Sequence, residues 1–144
     1  MSILFTGANG QVGESLKSIL LDDSFTALTR DDLDLKNIEL ISKVLSSYKP
    51  SIIIHLAAYT NVDKAEDESD LAFLVNYDAT KEIASFCSNF NIPLIYLSSD
   101  YVFDGLKVEP YQEIDRVNPL GVYGNSKASS EEAIRKILST HVIF

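Results

Sequence analysis

The chain has 144 residues, of which 46% are hydrophobic and 23% charged, a balance that fits one soluble globular domain with a real core and argues against disorder. Its formal net charge of -9 speaks against a nucleic-acid partner, because a phosphate backbone is held mainly by clustered Lys and Arg. The longest apolar runs, such as Ile52-Ile53-Ile54, fall far short of a membrane span, and the N-terminus lacks a signal peptide's basic flank and cleavage site, so a cytoplasmic protein with no membrane partner is expected.

Ser2 to Thr6 reads as a short strand, followed by Gly7-Ala8-Asn9-Gly10-Gln11-Val12-Gly13 and then by Leu16, Ile19 and Leu20 at helical spacing. In that setting the G-x-x-G-x-x-G spacing points to a dinucleotide loop. Gly7 would make the tight turn, Gly10 would let a pyrophosphate approach the backbone, Gly13 would let the helix pack closely, and free N–H groups at the helix start would meet the phosphates. Three glycines marking only a tight turn are the plainer alternative.

Phe25 to Thr29 is the second strand. An NAD enzyme would place an acid just after it for the ribose hydroxyls, whereas this chain has Thr29 and Arg30, then Asp31 and Asp32. A guanidinium there suits the 2'-phosphate of NADP; the alternative is a surface Arg30 paired with Asp31 or Asp32. Asp34 and Leu35 would reach the adenine edge, unless Asp34 only caps the next helix, whose apolar positions are Ile38, Ile41, Val44, Leu45 and Tyr48. Lys49-Pro50 stops that helix.

Ser51 to Leu56 is a third strand, almost uniformly apolar, as suits a strand buried on both faces of a parallel sheet. His55 lies within it and reads as a satisfied core histidine. Ala57 and Ala58 are small enough to let a flat cofactor lie against the backbone, and with Tyr59 they complete the expected cofactor site. Asp63, Lys64 and Glu66 read as charges on an exposed helix start. Ala72, Val75, Ala79, Ile83, Phe86 and Phe90 then recur at steps of three and four, the mark of one long helix with a continuous core face. Cys87 lies beside that stripe and reads as a buried, inert thiol.

Leu94 to Leu97 is the fourth strand, and it ends in "SSDYVFDG", residues Ser98 to Gly105. Asp104-Gly105 is a good turn pair, but a turn alone leaves the hydroxyls of Ser98 and Ser99 without a role. A last helix spans Tyr123 to Leu138 and opens with Tyr123-Gly124-Asn125-Ser126-Lys127, a Y-x-x-x-K that sets phenol and ammonium on one face. A cation beside a phenol favours the phenolate, so Lys127 is expected to tune Tyr123 as an acid-base group. His141 to Phe144 begins a fifth strand. Alternating strands and helices predict an α/β doubly wound parallel sheet, and such a sheet is expected to continue beyond its fifth strand. Its exposed edge would favour marginal stability or self-association, including a homodimer.

"GANGQVG", "AAYTNVDKAE", "SSDYVFDG" and "YGNSK", in this order and spacing, resemble the extended short-chain dehydrogenase/reductase superfamily and, within it, the dTDP-4-dehydrorhamnose reductase family. The resemblance implies that residues 1–144 form a Rossmann-type NAD(P)-binding domain, cut off at about the fifth strand, with the C-terminal substrate domain absent. It implies NADPH or NADH as cofactor and a nucleotide-sugar substrate, the 4-keto group of dTDP-4-dehydro-L-rhamnose being reduced. Tyr123 would be the general acid, Lys127 its partner and a ribose ligand, and Ser99 the hydroxyl that polarises the ketone, with Asp100 and Tyr101 shaping the sugar pocket. Some members carry a Glu two places after the last loop glycine, linked to a metal-bridged dimer; Ser15 stands there, so no metal site is carried over. An epimerase or dehydratase of the same superfamily and a non-catalytic dinucleotide-binding subunit are the alternative functions.

Overall fold

A computed structural model describes residues 2–20 and 25–144. Five strands form one sheet: β1 (Ile3–Thr6), β2 (Phe25–Leu28), β3 (Ile52–His55), β4 (Leu94–Tyr96) and β5 (His141–Ile143). Their order is β2-β1-β3-β4-β5 and every pairing is parallel. The order reverses between β1 and β3, which opens a crevice at the carboxyl ends of those strands, where ligands of such sheets bind.

The crossovers are α1 (Gln11–Ile19), α2 (Ile38–Tyr48), the short α3 (Val62–Ala65) and α4 (Ser69–Phe73), α5 (Ala79–Phe90) and α6 (Val122–Ile137). The core joins Leu4, Ile53 and Leu94 of the sheet to Ile41 and Leu45 of α2, Ile83 and Phe86 of α5, and Ile134 of α6. Lys49 and Asn91 take the left-handed conformation just after α2 and α5, with φ of 47° and 54°. Both helices therefore stop where the sequence stops them. Cys87 is buried, and burial pushes its thiol up to about 12, which keeps it unreactive.

Three expectations need correction. The helix expected across Ala72 to Phe90 contains a π-turn at Leu74–Asp78, so its hydrogen bonding changes partway along while Ala72, Ala79, Ile83 and Phe86 stay buried. Phe90 lies outside the core, tilted against Phe86 at 4.8 Å, and Ile19 is exposed. Asp34 does not cap α2: the helix starts at Ile38, and the Asp34 carboxylate instead accepts from the Lys36 N–H at 3.1 Å.

The buried polar groups of β1 and β3 fix the floor of the crevice. The backbone N–H groups of Leu56 and Ala57 both donate to Thr6 Oγ1 at 3.2 Å. That leaves the hydroxyl proton of Thr6 for His55 Nδ1 at 2.7 Å, so Nε2 carries the ring proton and donates to Thr80 Oγ1 at 3.1 Å. His55 is thus neutral and satisfied, and desolvation lowers it to about 3, with the Lys127 charge adding to the effect.

A folded value below the unfolded one means that the unfolded chain binds the extra proton first. The contribution of His55 is then complete above about 6.5 and is lost as pH falls from there toward about 3, at up to about 1.4 kcal/mol per pH unit. The urea midpoint is expected to fall through this window, above the one in which Asp104, lowered from 3.8 to about 2, is protonated. NMR should show the His55 ring neutral throughout; a ring titrating near about 6.5 would refute this.

Candidate active site

At the β1/β3 crevice lies a groove of about 580 Å³. Gly7, Asn9 and Gly10 line one wall, Arg30, Leu33, Asp34 and Leu35 the far end, and Ala57, Ala58 and Tyr59 the floor. Nine of the residues expected at the cofactor site therefore meet in one cavity. Gly7 has φ +73°, and a Cβ on it would stand 2.8 Å from the Ala57 nitrogen; only glycine makes this turn against β3. A Cβ on Gly13 would stand 2.4 Å from the Gly7 carbonyl oxygen, so α1 can approach the loop this closely only with glycine there. Gly10 is exposed and precedes α1 without any side-chain cap. The first N–H groups of the helix, at Gln11, Val12 and Gly13, have no intrahelical partner and present the positive end of the helix dipole. This uncapped start beside the groove fits a dinucleotide pyrophosphate.

Arg30 is largely exposed. Its guanidinium stands 3.9 Å from Asp34, not from Asp31 or Asp32, because Asp32 is occupied by the N–H and hydroxyl of Thr29 at 2.9 and 2.7 Å. These bonds hold the Asp32 carboxyl below its ordinary value. An exposed pair at that separation is weak, which leaves Arg30 able to turn toward a ligand.

The second group of expected residues gathers where β4 ends against α6. Ser99 precedes a 3₁₀ turn at Asp100–Val102 and accepts from the Tyr101 N–H at 3.2 Å, while its own hydroxyl faces Asp100 at 3.2 Å. The ring of Tyr101 meets that of Tyr123 edge-on, with centroids 5.6 Å apart. Tyr123 packs with Ala65 and Ala72, and Tyr59 packs against the same cluster, so the groove and the Tyr123 region are contiguous.

Lys127 is 2% exposed. Its ammonium donates to the Leu97 carbonyl at 2.7 Å and lies 4.1 Å above the Tyr96 ring. Desolvation lowers it to about 8, opposed by Glu131. The Tyr123 phenol is raised above its ordinary value by desolvation, and a hydrogen bond from Ser99 opposes this. The Lys127 ammonium is drawn inward to the strand end, where it is bonded to the Leu97 carbonyl. The phenol keeps its proton at neutral pH.

"SSDYVFDG" divides into two halves with separate work. Ser98 donates to Glu131, and Ser99 faces Tyr123. Asp104 is a structural hub: its carboxylate accepts from Tyr111, Asn118 and the Leu106 N–H at 2.7, 3.0 and 3.0 Å, which lowers it to about 2, the Asn118 bond acting most strongly. Gly105 then turns at φ +71°.

Several residues with parts in this site leave only a faint signature in the sequence. Glu66, expected to be a surface charge, accepts from the Val122 N–H at 2.8 Å and caps α6 from a distance of 56 residues. A Cβ on Gly121 would stand 2.8 Å from that carboxylate. The signal was a missing one, since α6 begins after a glycine where Ser, Thr or Asp is usual. Asn76, in the π-turn, accepts from the Tyr59 N–H at 2.7 Å and donates to the Tyr59 carbonyl and to Ser126 at 3.2 and 2.9 Å. A polar residue four places from both Ala72 and Thr80, on a stripe that faces the core, was its trace in the sequence. Tyr59 in turn donates to Glu68 at 2.8 Å.

Known proteins share this arrangement of elements. The dTDP-4-dehydrorhamnose reductase of Sinorhizobium fredii is 41% identical over 99% of this chain and 49% of its own length. That of Aggregatibacter actinomycetemcomitans is 39% identical over 98% of this chain and 49% of its own length. The crystal structure of dTDP-4-dehydrorhamnose reductase from Bacillus anthracis in complex with NADP superposes with a TM-score of 0.93 at 35% identity, covering 99% of this chain and 51% of that one. The chain thus spans about half the length of the relatives it matches. The family model described as the RmlD substrate binding domain matches residues 1–144, and the chain belongs to that family.

Proposed function

We propose that residues 1–144 are the NAD(P)-binding half of a dTDP-4-dehydrorhamnose reductase. The observation that carries the reading is the contiguity of an uncapped glycine-loop groove with Ser99, Tyr123 and Lys127 at the end of β4. In this reading Gly7, Asn9, Gly10, Gln11, Val12 and Gly13 hold the pyrophosphate, Asp34 and Leu35 the adenine edge, and Arg30 the 2'-phosphate. Ala57, Ala58 and Tyr59 bear the middle of the dinucleotide. When bound, NADPH supplies the hydride that the keto carbon accepts.

The chain's own groups handle the oxygen. Ser99 donates a hydrogen bond to the keto oxygen, and Tyr123 gives that oxygen a proton as it becomes an alcohol. A phenol raised above its ordinary value is protonated at neutral pH, the state that a proton donor requires. Lys127 places positive charge on the helix face where a phenolate is left behind, and to reach the ribose its ammonium leaves the Leu97 carbonyl. Asp100 and Tyr101 border the sugar.

The test uses the 144-residue chain and a chimera in which it precedes the second half of the Sinorhizobium fredii relative. The chain alone is expected to bind NADPH weakly and more tightly than NADH, with Arg30→Ala narrowing the gap mainly by weakening NADPH. The chimera is expected to oxidise NADPH with dTDP-4-dehydro-L-rhamnose at a turnover on the order of 1 per second. A folded chimera that binds NADPH and does not turn over would overturn the reading, and equal affinities would reduce Arg30 to a surface charge.

A further inference from the structure

Glu131, a buried acid on α6, has no part in the chemistry proposed above. It is 5% exposed and follows Lys127 by one helical turn, so both side chains leave the helix on one face. That face meets the end of β4 at two successive residues. Lys127 donates to the Leu97 carbonyl at 2.7 Å, and the Ser98 hydroxyl donates to Glu131 Oε1 at 2.5 Å. Ser99 is the next residue along the chain. Its position relative to Tyr123 is thereby set by two side chains of the helix that carries Tyr123. Glu131 Oε2 receives the Arg135 guanidinium, itself about half exposed, at 2.9 Å.

We propose that Glu131 is a positioning residue, whose carboxylate latches Ser98 to α6 and supplies the anion that balances the buried Lys127 ammonium. The consequence for catalysis rests on the reductase reading; the geometry of the latch does not. Among the described residues, Glu131 is the carboxylate whose charge acts on Lys127. His55 faces it from β3 and is neutral, Tyr96 faces it from β4 with its phenol raised by burial, and Tyr123 on α6 is raised as well. Removing water draws the ammonium down toward neutrality, and Glu131 opposes that. Arg135, from the solvent side, competes for the same carboxylate.

The experiment reads Lys127 in the 144-residue chain without substrate or cofactor, by pH titration of lysine side-chain resonances, the Lys127 signal being assigned by its loss in Lys127→Met. Glu131→Gln keeps the size and an acceptor for Ser98 but removes the charge; the Lys127 midpoint is expected to fall by about one pH unit. Arg135→Gln removes the competing cation from an exposed position, and the midpoint is expected to rise. Ser98→Ala cuts the latch without altering charge: the midpoint is expected to hold while amide exchange at residues 99–102 accelerates. An unchanged midpoint in Glu131→Gln overturns the proposal. Should that variant not fold, a midpoint that fails to rise in Arg135→Gln overturns it. Because the readout needs no turnover, the result is distinguishable from a failure of the reductase reading.

Discussion

Tyr123→Phe, made in a chimera that turns over, is expected to lower the rate by about 100-fold to 10,000-fold, the range for loss of one positioned proton donor, while leaving NADPH affinity nearly intact. The ring of Tyr123 packs with Ala65 and Ala72 and edge-on to Tyr101, so Phe keeps the packing and removes only the hydroxyl. The hydroxyl is the sole proton donor that the reading assigns to the keto oxygen, since Lys127 is bound to the Leu97 carbonyl. Ser99→Ala is expected to cost less, because Tyr123 still donates. Steady-state rates with binding measured separately decide the matter, and an undiminished rate in the Phe variant would remove Tyr123 from the mechanism.

Gly124→Ala sets two effects against each other. Within a helix alanine is favoured over glycine by about 1 kcal/mol, and Gly124 sits in the first turn of α6. A Cβ there, however, would stand 2.2 Å from the Tyr101 carbonyl oxygen and 3.1 Å from Pro119 Cβ. The nearer atom is backbone and cannot rotate away, so the steric cost wins and a net loss of about 2 kcal/mol is expected. The turn at Asp100–Val102 must then shift away from α6, taking Ser99 from Tyr123. Urea denaturation and chimera turnover should fall together; a variant as stable as the parent would show that the turn yields freely.

Much of the sheet was legible because strands of a parallel sheet are apolar on both faces, so Ile52–His55 and Leu94–Tyr96 stand out without any alternation. The glycine loop was equally plain, since a turn with φ +73° at Gly7 admits few other residues. The helix faces were read less well at their ends. Ile19 and Phe90 follow the periodicity yet lie outside, because a period assigns a face without saying how far the neighbouring layer reaches. The π-turn was invisible, as one extra residue in a turn leaves the three-and-four spacing of Ala72, Val75 and Ala79 intact.

Within the site, the motif positions were legible and their polar supports were not. Glu66, Asn76, Glu131 and Thr6 act on partners 56, 17, 33 and 49 residues away. Such pairs leave no local pattern for a linear reading to find. The surroundings of Lys127 were hidden for the same reason: the Leu97 carbonyl and the Tyr96 ring hold its ammonium, and neither is near it in sequence.

The position of β1 inside the sheet, between β2 and β3, has a kinetic consequence. It is made first, yet its two neighbours are residues 25–28 and 52–55, joined in the registers Ile3 to Phe25 and Ile3 to Ile52. At ordinary rates of protein synthesis the ribosome takes on the order of seconds to deliver β3 after β1. For that time β1 has an open edge on the side that β3 later covers, and the Thr6 hydroxyl lacks the imidazole and the two amides that later surround it. Long-range parallel pairing is slow to form in any case. The nascent chain thus waits with one edge of β1 unpaired, and closure of the Thr6–His55 contact marks the joining of β1 to β3 on which the crevice depends.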